Sequence, residues 1–176
     1  MISALIVSSI LSASLPSEIE GRWVQPCQSQ AIREEVLQNN SATLTEKYYQ
    51  DTNCSEPLLT FKNEGALTAQ NGEMNFTFTR ITLALHAMSL VEDFNERAVC
   101  GRQDWIAGLE MDITGSLCAL FNPQKPARSP KAGDMRYGIY KVEENRLYFG
   151  QLTLQENALT PERRPTTWDP RFYQRQ

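Results

Sequence analysis

Asn71-Gly72 stands between two stretches in which apolar and polar residues alternate, Leu58 to Ala69 and Met74 to His86. No other feature constrains the fold as strongly. Alternation at period two gives a strand one apolar face. An Asn-Gly pair tolerates the positive φ angles of a type I′ turn, whose twist matches the strands it joins. A long β-hairpin is therefore expected at the centre of the chain. Along its second strand Phe76 and Phe78 share one face, whereas Ile81, Leu83 and Leu85 fall on the other. Bringing both sets to one core needs a bulge near Arg80, and Gly65 marks a bulge or bend in the first strand.

Further strands are expected at Glu20–Gln25, Ala42–Gln50, Leu109–Thr114, Tyr137–Val142 and Arg146–Leu152, the last two joined over Glu143-Glu144-Asn145. Ala31–Gln38 has helical propensity but ends at an Asn39-Asn40 turn and reads as a strand. Ser89-x-x-Glu92 has the form of a capping box, with Leu90, Val91 and Phe94 behind it, which predicts one short helix running to about Arg97. No repeat or linker divides the sequence, so residues 15–176 read as a single domain. About eight short antiparallel strands in chain order must close on themselves or leave edges that pair between molecules. Eight closes a barrel around side chains or one small ligand. The expected fold is all-β, an antiparallel up-and-down barrel of about eight strands with one short helix.

Four cysteines, at 27, 54, 100 and 118, contain no C-x-x-C pair. Zinc-knuckle and thioredoxin-type spacings are thereby absent, and disulfides are the better reading. Three pairings are possible; the sequential one, Cys27–Cys54 and Cys100–Cys118, is expected. An oxidising compartment also suits the N-terminus, where Ile2 to Ala13 is apolar and Ser12-Ala13-Ser14 forms a small-x-small cleavage pattern. Residues 1–14 are expected to be a signal peptide, although the usual basic start is missing. No other run approaches the roughly 18 apolar residues of a membrane helix, so the mature chain has no expected transmembrane segment. The expected location is secreted or periplasmic.

With 17 Lys+Arg against 21 Asp+Glu, the chain has no overall attraction for nucleic acid. One histidine, His86, excludes a multi-histidine metal site, and no metal or cofactor is expected. His86 itself reads as a half-buried structural residue. Glu110 and Asp112 could contribute to a glycosidase-type carboxylate pair, but nothing in the sequence sets their separation. Ser116 has no neighbouring base. The chain is therefore not expected to be an enzyme. Residues before 124 carry 7 basic and 15 acidic side chains, those after it 10 and 6. The basic part includes Lys125-Pro126-Ala127-Arg128-Ser129-Pro130-Lys131, a stiff loop that serves either as a solvated connector or as a cationic rim at a barrel mouth.

Gly21-Arg22-Trp23 is the G-x-W pattern that opens the first strand of lipocalin-like, or calycin, barrels. Together with Val24 and Cys27, and with Tyr48-Tyr49-x-Asp51-x-x-Cys54-x-x-Pro57-x-x-Thr60, it resembles the adenomatosis-polyposis-coli-down-regulated domain of secreted Wnt antagonists. Leu147-Tyr148-Phe149-Gly150 and Arg164-Pro165-Thr166 are similar to the closing strand and tail of that domain, and Cys100-Gly101 with Trp105 to its middle. Residues 62–98 carry no such anchor. Eukaryotic members have two such domains and a membrane anchor, and this chain carries the pattern once, so Wnt antagonism is not carried over.

The resemblance implies a secreted, disulfide-bonded, lipocalin-like barrel whose apolar interior takes a lipid or fatty-acyl chain. It also implies that Gly21 and Trp23 plug one end of the barrel, with an arginine from a distant segment over the indole; Arg164 is the candidate. Tyr48, Phe61, Phe76, Phe78, Tyr140 and Phe149 are the aromatic residues expected inside. Filled cores and lined cavities use the same alternation, so both readings stand: a barrel that binds a small hydrophobic ligand, or a filled barrel that binds a protein partner through its loops, chiefly 88–108 and 122–136. Asp51 is expected to cap its own turn.

Overall fold

In the computed structural model, which describes residues 14–120 and 124–176, Asn71 and Gly72 have φ angles of 53° and 81°. The expected signal peptide falls almost wholly outside the described residues. The chain first forms β1 (Gly21–Gln28), β2 (Ala31–Gln38), β3 (Ser41–Tyr49), β4 (Pro57–Gln70) and β5 (Glu73–Leu85), each antiparallel to the one before. The expected bulge sits beside Arg80: Glu64 pairs with Arg80 but Gly65 pairs with Phe78, leaving Thr79 as the extra residue. Phe76 and Phe78 thus reach the same interior as Ile81, Leu83 and Leu85. At Gly65 a Cβ would lie 2.2 Å from the Thr77 carbonyl oxygen and 2.6 Å from the Phe76 ring, so the bulge admits only glycine without rearrangement.

After β5 come α1 (Met88–Glu96), β6 (Met111–Asp112), β7 (Leu117–Cys118), β8 (Ala127–Arg128), β9 (Met135–Glu143), β10 (Arg146–Phe149) and β11 (Tyr173–Arg175). The ring runs β1-β2-β3-β4-β5-β9-β10-β11 and closes where Trp23 of β1 pairs with Arg175 of β11. It is a closed eight-stranded antiparallel barrel in up-and-down order with one short helix. Its membership differs from expectation in one place. Leu109–Thr114 is not a barrel strand; only β6 remains of it, paired to Thr82 and Leu83 outside the ring. The eighth member is β11, whose three residues are too few to show any alternation. Glu73–Thr77 of β5 pair with β9, but from Phe78 onward that neighbour is lost, and Gly133 and Asp134 take its place through Phe78 N–H to Asp134 O at 2.9 Å and Gly133 N–H to Phe78 O at 2.8 Å.

Alternate strand directions gather the 39–40, 71–72 and 144–145 turns at one end, which the 14–20 segment closes. Leu15, Ile19, Trp23, Leu37 and Leu147 are all buried there, and the Leu15 N–H donates to Asn40 Oδ1 at 2.9 Å. At α1 the expected capping box is absent. The helix begins two residues early, behind Ala87, whose carbonyl accepts from both Leu90 and Val91, and no side chain caps it. Its exposed first turn is solvated; burial of Val91 and Phe94 holds it, with Phe94 edge-on to Trp105 at 5.6 Å. Both disulfides are as expected, Cys27–Cys54 and Cys100–Cys118.

Candidate functional site

Because side chains alternate across each strand, one residue in two faces the interior. From β3 and β4 these are Ala42, Leu44, Glu46 and Tyr48, and Leu59, Phe61, Asn63 and Leu67; from β9 they are Arg136, Gly138 and Tyr140. They do not fill the barrel. A cavity of about 380 Å³ is lined mainly by Leu37, Ala42, Leu44, Leu67, Met74, Phe76, Phe78, Ile139, Phe149 and Leu152, with Glu35, Glu46, Asn63 and Arg136 as its charged and polar wall. Ala42 and Gly138 contribute almost no bulk, and the Phe76 and Phe78 rings stack edge to face on one side, 4.8 Å apart. At Asn63 and Pro130 the cavity adjoins a recess of about 340 Å³ lined by Phe61, Ile81, Ile113 and Leu120. At Glu46 and Phe149 it meets a polar recess of about 340 Å³ holding Gln25, Arg33, Asp169, Arg171 and Tyr173.

Of the six aromatic residues singled out in the sequence, Phe76, Phe78 and Phe149 line the cavity and Phe61 lines the adjoining recess. Tyr48 and Tyr140 line neither. Tyr48 donates to Glu46 Oε2 at 2.5 Å, and its hydroxyl is pushed up to about 12 by burial and then by Glu46. Tyr140 is buried in the core. Gly21, at φ 128°, precedes the plug formed by Trp23, which is fully buried with its indole N–H on Ile19 O at 2.7 Å. The arginine over that indole is Arg175, at 4.4 Å from the ring centroid, not Arg164. Arg164 instead ties two strands together, donating to Met74 O at 3.0 Å, Gly138 O at 2.5 Å and Asn75 Oδ1 at 2.9 Å. β11 pairs with β1 in a register that sets Arg175 opposite Trp23.

The polar wall was not legible in sequence. Arg33 and Glu35 alternate inward with Ala31 and Leu37, while the outward face carries Ile32, Glu34, Val36 and Gln38. Both faces of β2 are mixed, so periodicity gives no sign of which one is internal. Inside, Arg33 pairs with Glu46 at 3.4 Å. Glu35 is buried, and desolvation, reinforced by the nearby Glu46, pushes its carboxyl well above the usual range, against a hydrogen bond with Tyr173 and the charge of Arg33. The Tyr173 hydroxyl is likewise pushed up by burial and then by Glu35. Asp169 holds Arg171 through contacts of 2.5 and 2.9 Å, and this pairing keeps its carboxyl below the usual range.

Outside the barrel, Asp51 caps its turn, accepting from the backbone of Asn53, Ser55 and Glu56. His86 is exposed rather than half-buried, with Nε2 2.9 Å from Thr60 Oγ1, because β5 ends at Leu85 and the chain turns outward. Glu110 lies 3.7 Å from Lys62, and Asp112 lies 3.4 Å from Arg80. Pro130 of the cationic loop lies on the cavity wall. Among the described residues no helix is long and apolar enough to cross a membrane. No protein-family model matches the chain, and no curated protein matches it in sequence.

Proposed function

We propose that the protein is a binding protein, not an enzyme, that holds a small apolar or fatty-acyl ligand inside its barrel. The cavity carries this reading: about 380 Å³, with a largely aliphatic and aromatic wall and a few polar groups among its lining. That size and balance fall within the range of small-ligand sites, where apolar contact supplies affinity and a few polar groups set orientation. Burying an apolar body against this largely apolar wall is favourable because it removes apolar surface from water. Kinship with the adenomatosis-polyposis-coli-down-regulated domain belongs to the same proposal, and so does export, which the two disulfides favour because such bonds persist in oxidising compartments.

Native mass spectrometry of protein from its own host tests the proposal. The expected result is a bound mass, or uptake of one from a panel of lipids. Empty protein that takes up nothing overturns it. A second reading, a protein-binding module, is favoured by one observation: Ile106 and Leu109, on the segment between α1 and β6, and Leu117 of β7 are about half exposed. Empty protein together with capture of a defined partner, abolished by Ile106→Asp, would support that reading instead.

A further inference from the structure

We propose that Arg136 is the headgroup contact, binding the single carboxylate of an amphipathic ligand whose apolar body occupies the cavity. This inference rests on the binding function proposed above and names the class of ligand.

Three arginines stand on the cavity and its polar recess. Arg33 is paired with Glu46 and Arg171 with Asp169. Arg136 is half-buried yet has no carboxylate within ion-pairing distance among the described residues. Its guanidinium lies 5.3 Å from the centroid of the Phe78 ring, and one donor, Nη1, reaches Met135 O at 2.9 Å. A guanidinium offers five donors in a rigid planar fork. Asp134 is the nearest acid along the chain, and its Oδ2 accepts from the Lys131 N–H at 2.8 Å. Burial lowers the Arg136 pKa from its ordinary value, against the raising effect of the Asp134 charge, yet arginine stays charged.

The cavity lining points the same way. Glu46 is neutralised by Arg33, and burial favours the uncharged form of Glu35, which leaves Arg136 as the cavity-lining cation with no carboxylate in contact among the described residues, opposed only by the more distant charge of Asp134 in the outer recess. One monoanion balances this cation. Arg136 also lines a small outer recess with Arg128, Asp134 and Leu159, so it stands where the interior meets the surface. A carboxylate there would lie at the mouth, with its chain running toward Leu37 and Leu67. Two parallel N–H···O bonds to a carboxylate match the guanidinium fork and are stronger than neutral hydrogen bonds. Lys125, Arg128 and Lys131, on the loop just before β9, add a positive field that draws an anion to this side.

The test titrates the full-length protein with dodecanoate, dodecanol and dodecyl phosphate, comparing wild type with Arg136→Gln and Arg136→Lys; thermal unfolding confirms that each variant is folded. Wild type should bind dodecanoate at least about tenfold more tightly than dodecanol, a difference of about 1.4 kcal/mol. Arg136→Gln should bind the two equally, and Arg136→Lys should recover only part of the preference. Equal binding by wild type, or a preference that survives in Arg136→Gln, overturns the assignment to Arg136 and leaves the binding function standing. A stronger preference for dodecyl phosphate overturns the carboxylate assignment. Failure of all three ligands to bind wild type overturns the binding function itself.

Discussion

Arg175 lies over the indole of Trp23, 4.4 Å from the ring centroid, and the two residues face each other across β1 and β11. The same guanidinium donates to Glu20 O at 2.9 Å and to Glu18 O, so one side chain fastens the last strand, the plug and the N-terminal segment together. Gly21 enters β1 beside this contact at φ 128°, a backbone conformation that side chains with a Cβ rarely adopt. Arg175→Ala should lower stability by about 1 to 2 kcal/mol, the sum of a cation–π contact and charge-assisted hydrogen bonds near the surface. It should also perturb the near-ultraviolet circular dichroism of Trp23, which Arg164→Ala should leave intact. Urea unfolding and the dichroism spectrum check both outcomes.

Glu35 should make the barrel sensitive to pH. Its folded-state pKa is raised above the unfolded value by burial, so the folded state holds the proton more tightly. The resulting stability is fully present below the ordinary glutamate pKa of about 4.3 and is lost as pH rises toward the folded value. Glu35→Gln removes this dependence while keeping a hydrogen-bonding side chain. Acids such as Glu34 and Asp51, which are held below the usual range, contribute equally to both proteins and cancel in the comparison. Urea titrations at pH 4, 6 and 8 should show the stability of Glu35→Gln relative to wild type increasing with pH.

Gly65→Ala should destabilise the β4–β5 pair. The added methyl would press on the Thr77 carbonyl at 2.2 Å, and main chain cannot swing aside as a side chain can. Overpacking of this kind costs about 1 to 3 kcal/mol, and a clash with backbone belongs at the upper end. A lower midpoint in thermal unfolding is the readout. A control at Gly133, where a Cβ meets nothing within 4 Å, should lose only what its φ of 91° imposes.

Leu44→Trp should separate fold from binding. Leu44 is half-buried on the cavity wall, and an indole in its place would occupy space that a ligand needs. Ligand uptake should fall at least tenfold while the unfolding midpoint stays close to wild type. Displacement of a fluorescent fatty acid measures the first and circular dichroism the second.

Thiol labelling of denatured, unreduced protein should find no free cysteine. Replacing Cys27 and Cys54 together, or Cys100 and Cys118 together, should lower stability by about 3 to 4 kcal/mol in either case on loop-closure entropy. The sequence separations of 27 and 18 residues differ too little to set the two apart. Denaturant midpoints of the two double variants test this.

The sequence by itself determined the strands that are long and alternating, together with their turns. β3 to β5 lie within two residues of where periodicity placed them and β2 ends where the Asn39-Asn40 turn placed it, because alternation and Asn-rich turns act over distances of a few residues. It also called for the bulge beside Arg80, since both sets of apolar residues had to reach one core, whereas the choice among three cysteine pairings was settled by the folded chain. The tertiary structure alone decided which short segment closes the ring. Tyr173–Arg175 pairs with β1 about 150 positions away, and three residues carry no periodic signal; only the assembled sheet offers the edge that selects them. For the same reason Arg175 rather than Arg164 lies over Trp23. The charged wall of Arg33, Glu35 and Glu46 was hidden too, because both faces of β2 are mixed and inside is defined only by what lies across the barrel.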